Sequence, residues 1–138
     1  MIQYPRVIQP AIETSLFKGK VIVLYGARQV GKTTLIRLIQ EKYAADSLYL
    51  NCAESDIRGA LSDRTSMELR FLLGSKKLIF IDEAQRVKNI GLTLKLLVDS
   101  FPGIQVIATG SSSFDLSDLW KYGKMLAHCG KISLSARG

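Results

Sequence analysis

G-A-R-Q-V-G-K-T, residues Gly26 to Thr33, decides the fold, because it stands between the apolar run Val21-Ile22-Val23-Leu24-Tyr25 and the helix-like stretch Thr34-Leu35-Ile36-Arg37-Leu38-Ile39. Strand, glycine loop and helix in that order form a phosphate-binding loop. Gly26 and Gly31 let the backbone take up positive φ and come close to an anion, so that consecutive N–H groups from Gly26, Ala27, Arg28, Gln29, Val30 and Gly31 converge on it. In this reading Lys32 neutralises the β- and γ-phosphates and Thr33 places its hydroxyl on Mg²⁺. The helix that continues through Thr34 directs its positive amino end at the same charge.

Short continuous apolar stretches extend the pattern outward, since parallel strands covered on both faces lack polar alternation. Strands are expected at Val21 to Tyr25, Ser47 to Asn51, Lys77 to Ile81 and Ile104 to Thr109. Helix-length segments separate them: Lys32 to Tyr43, then Asp56 to Leu73 with a break near Thr65, then Asn89 to Ser100. The alternation implies an α/β three-layer fold, a mainly parallel sheet flanked by helices, with ligands at the carboxyl ends of the strands. Gly26, Asn51, Asp82 and Thr109 all fall on that edge. Residues 1–20 read as a lead-in segment with a short helix around Ala11 to Phe17, close enough to touch the nucleotide base. Residues 21–138 read as one P-loop core, with a further strand possible at Ile132 to Leu134.

Leu78-Ile79-Phe80-Ile81-Asp82-Glu83 is the second chemical constellation, an apolar strand ending in two adjacent carboxylates. Asp82, at the tip of a buried strand beside the phosphate loop, is placed to hold Mg²⁺ directly or through its waters. Glu83, turned the other way by strand alternation, is placed to orient or deprotonate the attacking water. One strand, Ser47 to Asn51, lies between the loop and Asp82 in sequence. That spacing leaves room for the Ile104 to Thr109 strand to lie next to the loop and offer a hydroxyl from Thr109, Ser111 or Ser112 to the γ-phosphate, as sensor and as an aid to catalysis. Asn51 reads equally as a polar contact or as an ordinary turn residue.

Composition bounds the rest. The 138 residues, 47% hydrophobic and 22% charged, are one domain's worth of globular sequence. No apolar segment reaches the eighteen or so residues of a membrane span and the amino terminus lacks a signal-peptide layout, so a cytoplasmic protein with no membrane partner is expected. Cys52 and Cys129 match no metal spacing and read as free thiols; His128 is the only histidine. The net charge of +7 is spread rather than gathered into a run, which fits a solvated basic surface and leaves nucleic acid as a partner on weak grounds.

Taken together these residues resemble prokaryotic predicted ATPases of the AAA+ superfamily, in which an amino-terminal P-loop domain is joined to a carboxyl-terminal domain of unknown function. Four stretches carry the resemblance: Y-P-R at Tyr4 to Arg6, L-Y-G-A-R-Q-V-G-K-T-T-L from Leu24 to Leu35, I-D-E-A-Q-R-V from Ile81 to Val87, and T-G-S-S-S-F-D-L from Thr109 to Leu116. It implies ATP as ligand, Lys32 and Thr33 on phosphate and Mg²⁺, Asp82 as the Walker B metal carboxylate, Glu83 as catalytic base, and Ser111 or Ser112 as sensor. Arg28 and Gln85 recur in the family without a role derivable from sequence. The preference for ATP over GTP rests on the resemblance, as does a homo-oligomeric assembly. The match fades after Asp118, so Leu119 to Gly138 is expected to depart from family sequence in a truncated product lacking the lid that would supply a second sensor and an arginine finger.

Three function classes follow. The first is an Mg²⁺-dependent ATPase core, and the second a nucleotide-dependent module that binds nucleic acid or protein with little turnover. The third is a P-loop kinase, disfavoured by the water-directed Asp82-Glu83 pair.

Overall fold

The computed structural model describes residues 16–17, 21–25, 32–110, 125–129 and 133–135. Strands β1 (Val21–Tyr25), β2 (Ser47–Asn51), β3 (Leu78–Asp82), β4 (Gln105–Gly110), β5 (Met125–Cys129) and β6 (Ser133–Ser135) form one sheet in the order β2-β3-β4-β1-β5-β6. The first five run parallel to their neighbours, and β6 pairs antiparallel with β5. The helices are α1 (Lys32–Lys42), α2 (Ser55–Leu61), α3 (Ser66–Leu73) and α4 (Ile90–Ser100).

Burial explains why the central strands read as unbroken apolar runs. Every residue of β3 and of β4 is buried, because both faces of the sheet are covered there. One face carries Ile22, Leu24, Leu78, Phe80 and Ile107 against Ile36 and Ile39 of α1, with Leu16 and Tyr43 at the margin. The other carries Val21, Val23, Ile79, Ile81, Val106 and Ala108 against Leu61, Leu69, Leu73, Leu94 and Leu97 of α2, α3 and α4. Strand β2 lies at the sheet edge, where Tyr49 keeps 38% of its surface exposed.

The break between α2 and α3 falls where expected and has a local cause. Thr65 caps α3 with a reciprocal pair: its hydroxyl accepts from the Glu68 N–H at 3.2 Å, and its own N–H donates to Glu68 Oε1 at 2.9 Å. That backbone bond, with Arg64 beside it, holds the Glu68 carboxyl below its ordinary range. The helix ends at Gly74, whose φ of 60° suits a residue without a Cβ. Thr93 Oγ1, buried, donates to the Leu61 carbonyl at 2.7 Å and ties α4 to the end of α2.

Several boundaries depart from the sequence reading. Strands β3 and β4 each begin and end one residue later than expected, because the neighbouring ladders continue through Asp82 and Gly110. The tail pairs differently: its first strand is Met125–Cys129, laid parallel against β1, and Ser133–Ser135 returns beside it. The free edge of β1 offers a full row of backbone partners there, which the apolar-run criterion did not detect in M-L-A-H-C. Of the expected lead-in helix only Leu16 and Phe17 lie within the described residues, and they form a turn. The Phe17 N–H donates to Gln105 Oε1 at 2.6 Å, which places this turn at the amino end of β4, away from the carboxyl edge.

Candidate functional site at the carboxyl edge of the sheet

The strand order puts β4 between β1 and β3, so Thr109 stands between the carboxyl end of β1 and Asp82. Leu24 of β1 pairs with Thr109, and Asn51 of β2 pairs with Asp82, in one line across the sheet. Asp82 and Thr109 lie on the α1 side, continuing the faces of Phe80 and Ile107.

Both Asp82 oxygens accept hydroxyl protons. Thr109, fully buried, donates to Oδ1, and Tyr49 donates to Oδ2 at 2.5 Å. Thr109 Oγ1 in turn accepts the Glu83 N–H at 3.0 Å, so a single hydroxyl fixes the carboxylate and the chain just beyond it. Burial, followed by the adjoining Asp82 carboxylate, pushes the ionisation of Tyr49 far above its usual range, so its hydroxyl remains a donor at physiological pH.

Glu83 leaves the line of the strand. Its φ of 59° and ψ of 42° are left-handed, a conformation that costs a long side chain roughly 1–2 kcal/mol, and a single 3₁₀ turn, Ala84–Arg86, follows. Strand alternation was expected to separate the two carboxylates. The left-handed residue separates them instead, because β3 ends at Asp82. The Glu83 side chain, 23% exposed, accepts from Gln85 Nε2 at 2.9 Å through Oε1, with Arg86 Nε 3.7 Å from the same oxygen.

The phosphate-loop residues Gly26, Ala27, Arg28, Gln29, Val30 and Gly31 lie outside the described residues, as do Ser111 and Ser112. The bounds on either side are described: β1 ends at Tyr25 and α1 begins at Lys32. Lys32, Thr33 and Thr34 form the first helical turn, which contains no acidic residue, so the positive helix end has no carboxylate of its own to neutralise it.

Asn51 serves a turn: its Oδ1 accepts the Ala53 N–H at 3.0 Å. Cys52 is a buried free thiol, pushed up to about 12 by burial and, less strongly, by the Asp82 charge. Tyr49 and Gln85 were missed as site residues. In S-L-Y-L-N, Tyr49 is two residues before Asn51 and therefore on the same face of β2, a period-two signal that would have found it.

Among the described residues no cluster of three His, Cys, Asp or Glu side chains could form a metal cage, and no cation pairs with Asp82. A carboxylate oriented by two hydroxyls fits Mg²⁺, which takes few protein ligands and completes its shell with phosphate and water.

A parallel sheet with β4 inserted between the loop strand and the acidic strand, flanked by helices on both faces, defines an AAA+-like P-loop NTPase fold. The chain belongs to the AAA domain family, whose model matches residues 18–128. At the family level it is a nucleotide-binding, ATPase-like domain. The match runs into β5, to residue 128, further than the expected fading after Asp118. An uncharacterised protein of Methanocaldococcus jannaschii is 35% identical over 115 residues, covering 81% of this chain and 26% of the relative. One of Mycobacterium bovis is 36% identical over 110 residues, covering 78% and 23%. The chain thus spans about a quarter of the length of these relatives.

Among solved structures, a chain from Drosophila ORC bound to GC-rich DNA and Cdc6 superposes with a TM-score of 0.64 at 13% identity, covering 95% of this chain and 56% of the other. The Pif1 helicase from Candida albicans gives 0.62 at 14%, covering 94% and 39%. The Thermotoga maritima RuvB Holliday junction branch migration motor gives 0.58 at 16%, covering 90% and 43%. These likenesses concern the fold. No described helix is long and apolar enough to cross a membrane.

Proposed function

We propose that this chain binds ATP with Mg²⁺ and hydrolyses it to ADP and phosphate. The observation that carries the reading is the division of labour at the end of β3, where Asp82 is fixed by two hydroxyls and Glu83 is turned out of the strand. The family membership and the loop sequence G-A-R-Q-V-G-K-T support it.

Gly26 to Gly31 wrap the phosphates with backbone N–H groups, Lys32 neutralises their charge, and Thr33 and Asp82 hold the metal. Mg²⁺, when bound, supplies charge neutralisation to the β- and γ-phosphates. Glu83 accepts a proton from water as its oxygen bonds to the γ-phosphorus and the bond to the β-bridging oxygen breaks. A hydroxyl from Ser111 or Ser112 completes the γ-phosphate contacts.

The test is Mg²⁺-dependent ATP binding and turnover by wild type, Lys32→Ala and Glu83→Gln. The expected pattern is binding and turnover by wild type, lost binding in Lys32→Ala, and binding with only a small residual turnover in Glu83→Gln. Turnover at the wild-type rate in Glu83→Gln would remove Glu83 from the mechanism.

A second reading, a nucleotide-dependent nucleic-acid binder, has charge in its favour. The net charge is +7, and Arg70, Lys76 and Lys77 line a groove of about 430 Å³ at the amino end of the sheet. The DNA in the ORC structures and the RuvB branch migration motor lend it support by likeness of fold. DNA affinity that falls steeply with salt and depends on ATP would favour it.

A further inference from the structure

Gln85 follows the acidic pair by two residues, and the roles assigned to the site do not use it. Its side chain is committed on one end and unsatisfied on the other. Nε2 donates to Glu83 Oε1 at 2.9 Å, while Oε1 of the same amide is buried and has no hydrogen-bond partner among the described residues. A buried carbonyl without a donor costs free energy, and natural structures rarely tolerate one. Reversing the amide would not relieve it, because the carbonyl would then face a carboxylate. The carboxylate therefore dictates how Gln85 is held.

The competing partner is Arg86. Its guanidinium, 48% exposed, lies 3.7 Å from the same Glu83 oxygen, beyond hydrogen-bond distance. Left to charge alone, Glu83 would be drawn towards that exposed cation and towards solvent. The Gln85 amide opposes this with a charge-assisted hydrogen bond of 2.9 Å across a single 3₁₀ turn, and Glu83 Oε2 stays without a partner among the described residues.

We infer that Gln85 is the positioning residue of the general base: it secures Glu83 Oε1 so that Oε2 faces the attacking water, and it holds the Arg86 ion pair on that same oxygen out at 3.7 Å. The inference rests on the ATPase reading above. It assigns Gln85 no contact with nucleotide, so its effect passes entirely through Glu83.

The experiment is a double-mutant cycle on this chain, combining Gln85→Met, which keeps the length and removes the donor, with Glu83→Gln. Kd for ATP with Mg²⁺, kcat and KM are measured for each. Gln85→Met is expected to lower kcat by roughly 10- to 100-fold, the cost of misplacing a reacting group by about 1 Å, with Kd within about twofold. In the Glu83→Gln background the same substitution should lower kcat no further. A kcat unchanged in Gln85→Met, an equal loss in both backgrounds, or a loss matched by weaker binding would overturn the inference.

The ATPase reading fails separately, if wild type binds ATP and never turns over. The side-chain amide resonances of Gln85 then decide. They should move when Glu83 is replaced by Ala, and unmoved resonances would refute the positioning role.

Discussion

Replacing Thr109 with Val tests the frame that joins Asp82 to Glu83. Valine has nearly the shape of threonine, so the fully buried position is refilled without a cavity and only the hydroxyl is lost. That hydroxyl makes two bonds, donating to Asp82 Oδ1 and accepting the Glu83 N–H at 3.0 Å. A bond to a charged acceptor contributes about 1.5–3 kcal/mol, and a buried N–H deprived of its acceptor costs about 1–3 kcal/mol. Asp82 keeps its bond from Tyr49, and Glu83 lies near enough to the surface for water to replace part of the loss. The expected destabilisation is therefore about 2–4 kcal/mol. Domains of this kind have about 5–15 kcal/mol in total, so the variant should still fold. Urea denaturation followed by circular dichroism should show a midpoint lower by about 1–2 M with the slope unchanged. Thr109→Ser keeps the hydroxyl, gives up one methyl group and should lose only about 1 kcal/mol. A valine variant as stable as the serine variant would refute the argument, because the hydroxyl would then be holding nothing.

Tyr49→Phe removes the donor to Asp82 Oδ2 at a half-exposed edge, and should raise the Mg²⁺ concentration needed for half-maximal ATP turnover by roughly 10-fold; an unchanged requirement would exclude Tyr49 from orienting the carboxylate. Thr65→Ala breaks the capping box of α3 and should cost about 1 kcal/mol in urea, most of it restored by Thr65→Ser. Cys52, fully buried with its thiol pushed from 9.0 up to about 12, should resist iodoacetamide at pH 8 in the native chain and react once the chain is unfolded, as read by peptide mapping. The sign follows from linkage: the neutral thiol favours the folded state fully below about pH 9, and that contribution is lost as pH rises towards 12, so wild type should lose stability relative to Cys52→Ala across that window.

Legibility in the sequence tracked how local each feature was. Strand β1 and strand β2 have the bounds their apolar letters indicate, and the α2–α3 break sits where Thr65 and Glu68 form a cap. The acidic end of β3 at Asp82 was legible because an apolar run ended in acid. Gln85 was not, since nothing in a Gln announces that its partner is a carboxylate two residues away, and for Tyr49 only its face of β2 was legible, not its partner thirty-three residues on. The tail was misread for a similar reason: M-L-A-H-C becomes a strand by pairing with β1, and its own letters carry little propensity signal.

By itself, the sequence determined the class of fold and the acidic strand, because periodicity and apolar runs act through neighbours a few residues apart. Only the tertiary structure decided that β4 would separate β1 from β3, that Thr109 and Tyr49 would converge on Asp82, and that Glu83 would turn left-handed into the reach of Gln85. Those contacts depend on strand order and register, which are settled by burying both faces of the sheet at once and have no counterpart in any short stretch of chain.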